Sequence, residues 1–124
     1  MHLNFIATIL EKALEKKIDI ASINKSEKFA IGLYYNRNLN PSSIKIGGDD
    51  YLSYKKISIN ILFRMGKDAL YADCEMTSIF DKLKNIDIKS IFIIFPYDMP
   101  IWLGKDSMGI YEYSIDIDFY INKN

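Results

Sequence analysis

From Tyr111 to Ile121 the chain alternates without a break. Tyr111, Tyr113, Ile115, Ile117, Phe119 and Ile121 take the odd positions, and Glu112, Ser114, Asp116, Asp118 and Tyr120 the even ones. A period of two places every second side chain on the same face of a strand. So long a run demands a strand with one face against a core. A second stretch, KKISINILFRMG (55–66), follows the same rule. Ile57, Ile59, Ile61, Phe63 and Met65 point one way, and Lys56, Ser58, Asn60 and Arg64 the other. Leu62 interrupts the polar side. Two such strands leave a wide apolar face that needs a covering layer.

Two segments of helical period supply that layer. In residues 3–17, Leu3, Ile6, Leu10, Ala13, Leu14 and Lys17 fall near one face, Asn4 is placed to cap, and Lys16 and Lys17 close the C-terminal end. In residues 67–85, Ala69, Ala72, Met76, Ile79, Phe80 and Leu83 form an apolar stripe. Asp68 stands in the first turn, and Lys82 and Lys84 in the last.

Two further strands complete the pattern. FAIGLYY (29–35) puts Phe29, Ile31, Leu33 and Tyr35 on one face, and Gly32 marks a bulge or a close approach by another backbone. SIFIIF (90–95) is almost wholly apolar, as expected of the sheet interior. Pro96 and Pro100 end that strand, and MPIWLG runs as an edge segment into the turn GKDSMG, whose glycines suit positive φ. Residues 18–28 read as a connector. Residues 36–54, rich in Asn, Pro, Ser, Gly and Asp, read as a long arm. The predicted fold is α+β: a two-layer α/β sandwich in one domain, order α-β-β-α-β-β. Its mainly antiparallel four-stranded sheet carries two helices on one face.

The 124 residues suit one domain, and a 49% hydrophobic share supports a core without staples. Sixteen basic and sixteen acidic side chains cancel, so no strong field draws the chain to nucleic acid. The N-terminus lacks a basic region followed by a small-residue cleavage site, and no apolar run approaches a membrane span. A soluble, intracellular protein is expected. The single cysteine, Cys74, excludes an internal disulfide and reads as a buried structural thiol rather than a nucleophile.

Candidate chemistry is sparse. The only histidine, His2, is near the N-terminus, which leaves a histidine-based triad or metal site without support. GGDD (47–50) pairs Asp49 and Asp50, but no EF-hand spacing follows and turn chemistry explains it. The row Glu112, Asp116, Asp118 is too regular for a convergent nuclease centre and reads as a solvated or subunit-facing sheet surface. No phosphate-loop or dinucleotide motif occurs. Nine tyrosines and the single tryptophan, without a basic groove, favour a protein interface over base stacking.

The order of elements, the glycine-containing loop IKIGGDDYLSY before KISINILFRMG, the helix KDALYADCEMTSIFDKL and the closing PIWLGKDSMGIYEYSIDIDFYI together resemble one family. It is the tail terminator proteins of long-tailed phages, including those catalogued as minor capsid proteins in phages of Gram-positive bacteria. The segments Arg64-Met65-Gly66 and 100–111 carry the resemblance most specifically. The loop departs from a Pro-Gly-Gly pattern, since Pro41 stands well upstream of Gly47 and Gly48.

The resemblance implies a non-enzymatic protein without metal or cofactor. It implies a ring, typically of six copies, that caps the tail tube, stops its polymerisation and offers the surface joining the head or neck. The implied partners are other copies, the tail tube protein and a head-completion or neck protein. No membrane or sequence-specific nucleic-acid contact is implied, although DNA passes through the lumen of such rings. The implied location is a virion tail or phage-tail-like particle, assembled in the bacterial cytoplasm. Candidate subunit or partner contacts are Arg64, Trp102, Lys105, Asp106, Tyr51, Tyr54, Asp49 and Asp50. Two other readings compete: a small binding module such as an immunity-type protein, and a divergent nuclease using Asp116 or Asp118.

Overall fold

The computed structural model describes residues 2–36 and 54–122. Most of the proposed arm (36–54) lies outside them. Two helices and six strands follow in the order α1 (His2–Leu14), β1 (Asp19–Ile20), β2 (Phe29–Tyr35), β3 (Tyr54–Met65), α2 (Ala69–Lys84), β4 (Ile91–Ile94), β5 (Ile101–Lys105) and β6 (Tyr111–Asn122). The class is α+β, as predicted. The sheet, however, has six strands and is mixed. Its path is β1-β2-β3-β6-β4, with β5 also paired to β6, and only β1 and β2 run parallel.

The two long alternating stretches form the centre. β3 and β6 pair antiparallel from Tyr54↔Asn122 to Arg64↔Glu112. Their odd positions, with Ile31 and Leu33 of β2, form the buried face. Both helices pack on it, bringing Leu3, Ile6, Leu10 and Leu14 from α1 and Ala72, Met76, Ile79, Phe80 and Leu83 from α2 into one core. The even positions make the helix-free face.

Several local readings change. α1 ends at Leu14, because Glu15 takes φ 55 while its N–H donates to the Glu11 carbonyl. Lys17 is therefore beyond the helix and exposed. α2 begins one residue after Asp68, which is its N-cap: the carboxylate accepts from the N–H groups of Leu70 (3.0 Å) and Tyr71 (3.2 Å). Ala69, read as part of the apolar stripe, is exposed in the first turn. Cys74, read as a buried thiol, is exposed on α2, because the stripe turns past it between Ala72 and Met76.

The two unpredicted strands arise from tertiary contacts. The Glu11 carboxylate accepts the Ile18 N–H at 2.9 Å, and Ile18 is buried. That anchor lays Asp19 and Ile20 alongside β2. The connector then crosses the helix-free face above Gly32. A side chain there would overlap the Ser22 carbonyl oxygen and approach Cβ of Ile23 to 2.9 Å. The predicted close approach at Gly32 is thus real.

The interior place expected for β4 is corrected: it is an edge strand, with Phe92 50% and Ile94 51% exposed. β6 takes the inner place because it runs long enough to pair β3 on one side and β4 and β5 in succession on the other. Ile94 sits opposite Asp118, and Ile101 opposite Ser114. Residues 95–100 arch away between them. Among the described residues, the outer edge of β6 is therefore without a strand partner from Ile115 to Ile117.

Candidate functional site

The helix-free face holds two charged residues that are removed from water. Arg64 is 1% exposed, and Asp118 7%. A buried charge is costly unless it is paired and hydrogen-bonded. The two residues meet that requirement very differently.

Arg64 is fully engaged within the chain. Its Nη1 donates to Asp106 Oδ2 at 2.9 Å and to Glu112 Oε2 at 2.8 Å. Its Nε donates to the Glu27 carbonyl at 3.1 Å, and Nη2 to the Lys25 carbonyl at 3.2 Å. The planar fork of guanidinium donors suits this convergence. It ties β3 to the connector, the β5–β6 hairpin and β6. In the sequence Arg64 is open to two readings, a contact with a partner's carboxylate or an intrachain salt bridge; the ion pairs it makes here are intrachain, with Asp106 and Glu112.

Asp106, a predicted contact residue, organises the hairpin. Its Oδ1 accepts the N–H groups of Met108 (2.8 Å) and Ile110 (2.9 Å), while Oδ2 takes Arg64. These bonds hold its carboxyl below the usual value of 3.8. The Ile110 N–H is the largest cause, with Arg64 and the Met108 N–H also lowering it against an opposing effect of burial. Gly109 follows at φ 85, in line with the predicted turn. Lys105 is exposed, with its Nζ 5.7 Å from the centre of the Tyr111 ring.

Asp118 presents the opposite case. Its Oδ1 is fully occluded and has no hydrogen-bond partner among the described residues. Ser58 and Ile94 stand opposite it on the neighbouring strands. Two residues along, at the strandless stretch of β6, Asp116 accepts a 2.7 Å bond from Asn60 Nδ2. Tyr120, on the other side, is buried, and its hydroxyl pKa is raised by that burial and then by the charge of Asp118. The face is thus a half-buried strip in which negative charge is only partly answered. Among the described residues, no group of three or more His, Cys, Asp or Glu side chains comes close enough to hold a metal ion.

Exposed apolar side chains border this strip. Trp102 is 61% exposed on β5, with Leu103 beside it. Phe92 and Ile94 on β4, and Tyr97 and Met99 on the arch, extend the same edge. Tyr54, half-buried at the start of β3, places its ring 5.0 Å from that of Phe92. Tyr51, Asp49 and Asp50 lie outside the described residues. The sequence signals for this edge are Trp102 and the two prolines. The unanswered oxygen of Asp118 has none, since its isolation depends on which strands flank β6.

At the opposite side of the sheet, a groove of about 360 Å³ runs beside β2, lined by Lys16, Lys17, Phe29, Met65, Tyr71 and Glu75. Phe29 and Tyr71 meet edge to face at 5.8 Å, and both are exposed. The described residues include no helix long and apolar enough to cross a membrane. In comparisons with known proteins, no protein-family model and no curated protein matches this chain.

Proposed function

We propose that this chain is a structural assembly protein of the tail terminator kind. Copies of it form a ring that caps a phage tail tube or tail-like tube, stops its growth and presents the surface to which a head or neck component joins. The observation that carries the reading is the distribution of exposed apolar residues at both sides of one sheet. Phe92, Ile94, Tyr97, Met99, Trp102 and Leu103 lie along the β4–β5 side, and Phe29 and Tyr71 beside β2. Different patches on opposite sides of a rigid domain suit head-to-tail contacts, which close into a ring when the rotation per copy closes. Aromatic and methionine side chains of this kind are the ones enriched at protein interfaces. The order of the elements and the PIWLGKDSMGIYEYSIDIDFYI segment add the family resemblance.

In this reading the sheet and its helices are the body. Arg64 and Asp106 hold the β5–β6 hairpin rigid, and Trp102 with Leu103 forms the contact edge. The partners are further copies, the tube protein and a neck protein. Six copies of a 14.4 kDa chain give a particle of about 86 kDa. The test is light scattering over a range of concentrations, with negative-stain imaging of the protein alone and mixed with purified tail tubes. Rings, alone or at tube ends, are the expected result. A monomer that ignores tubes overturns the reading, and tight one-to-one binding of a toxin would instead favour an immunity-type module.

A further inference from the structure

We propose that Asp118 is the acceptor of an intersubunit ion pair, and that the cation comes from Lys28 or Lys67, where β2 begins and β3 ends, of a second copy. The inference rests on the head-to-tail self-association within the reading above, not on ring closure, and specifies which surfaces meet.

A carboxylate that is only 7% exposed, with one oxygen occluded and unpartnered, is seldom left so in a finished structure. The group that answers it must be a donor, and a cation is the strongest. The neighbouring residues do not fill that role: Lys56, two positions from Ser58 on the same face, forms no ion pair among the described residues. Ser58 and Ile94 flank Asp118 across the sheet, and Asn60 is spent on Asp116. Arg64, on the same face, is committed to Asp106, Glu112 and two carbonyl oxygens. Beside Asp118, β4 ends at Ile94 and β6 loses its outer strand neighbour among the described residues.

A second copy offers the complement. Gly66 N–H donates to the Lys28 carbonyl at 2.8 Å, which sets Lys28 and Lys67 side by side at the end of β2 and β3, close to Phe29. Both lysines are exposed, and neither has an ion-pair partner among the described residues. Of the nearby acids, Asp68 caps α2 and Glu75 lies 3.5 Å from Lys16, while the exposed Glu27 alone cannot balance both Lys28 and Lys67. Exposed Phe29 and Tyr71 flank the lysines as Phe92 and Ile94 flank Asp118. Each patch therefore joins an unanswered charge to an apolar rim, with opposite signs. They lie toward opposite ends of the strand order β1-β2-β3-β6-β4. Contact between them is head-to-tail, the class of interface that builds rings.

The test is sedimentation velocity across a wide concentration range on the whole chain, for wild type, Asp118→Asn and the pair Lys28→Glu with Lys67→Glu. Each change is expected to weaken self-association by about thirtyfold or more, since a desolvated charge loses its partner. Thermal unfolding of dilute, dissociated Asp118→Asn keeps the result interpretable: its midpoint is expected to hold or rise. Rings that persist undiminished in Asp118→Asn overturn the proposal and leave the ring reading standing. An open chain of copies, lost in both variants, supports the proposal and overturns the ring reading. A wild-type chain that stays monomeric at every concentration overturns the proposal; if that monomer still caps tubes, the ring reading survives without it. A calcium-dependent rise in the wild-type midpoint that Asp118→Asn abolishes also overturns it, by making Asp118 a metal ligand.

Discussion

Arg64 and Asp118 occupy the same sheet face, on adjacent strands, and both are buried. Arg64 makes four hydrogen bonds to four different residues. Asp118 has an occluded oxygen with none. The difference separates two uses of a buried charge. A fully answered one fastens elements of the same chain together. An unanswered one costs stability, and it is the feature on which the proposed contact between copies rests.

The largest effect expected from breaking this contrast is at Arg64. Arg64→Ala should lower unfolding free energy by about 3 kcal/mol, because it strands two carboxylates and two carbonyl groups. Urea unfolding followed by circular dichroism measures it. Arg64→Lys should recover only part of the loss, since one ammonium cannot reproduce the guanidinium fork.

Gly66 comes next. It sits at φ 78, its N–H reaches the Lys28 carbonyl and its carbonyl accepts from Tyr111 N–H. An added Cβ would lie 2.7 Å from the Phe29 ring. Gly66→Ala should cost about 1–2 kcal/mol from the left-handed backbone and the displaced ring, again read by urea unfolding. Fluorescence of Trp102 should stay close to wild type, because β5 is not disturbed.

Asp118→Asn should go the other way. Replacing an unanswered carboxylate by a neutral amide should leave the monomer as stable or raise it by about 1 kcal/mol, measured by thermal unfolding at low concentration. A clear loss of monomer stability would mean that Asp118 is answered within the chain after all.

The smallest effect concerns pH. The Asp106 carboxyl is held below its ordinary value of 3.8, first by the Ile110 N–H and then by Arg64 and the Met108 N–H. Its unfolded form therefore binds a proton before the folded form does. The stabilisation is fully present above about 3.8 and is lost as pH falls through the lower folded value. Asp106→Asn should flatten that acid limb while changing little at neutral pH beyond the weakened Arg64 pair. A pH series of urea midpoints for both chains tests this, and an unchanged acid limb would remove Asp106 from the account.

Much of this molecule is readable from local pattern. The alternation in 55–66 and 111–121 specifies two strands and the face each buries, and the helical stripes name most core residues of α1 and α2. The misreadings are also instructive. SIFIIF looks like an interior strand because its apolar run carries no information about neighbours. Cys74 looks buried because thiols usually are, whereas one step around the helix decides it. Arg64 fits a partner contact and an intrachain salt bridge equally well in the sequence, because a strand-end arginine carries no sign of the connector whose carbonyls it meets.

By itself, the sequence determined the class of the fold, the two long alternating strands with the face each buries, and most of the core, since these follow from side-chain periodicity and the need to remove apolar surface from water. Tertiary structure alone decided the rest. β1 exists because Glu11 holds Ile18. β4 is an edge because β6 is long enough to take three neighbours. Arg64 is satisfied because the connector and the β5–β6 hairpin converge on it, and neither brings a hydrogen-bond donor to Asp118 Oδ1. Each of these depends on contacts between residues far apart in the chain, which no local period encodes.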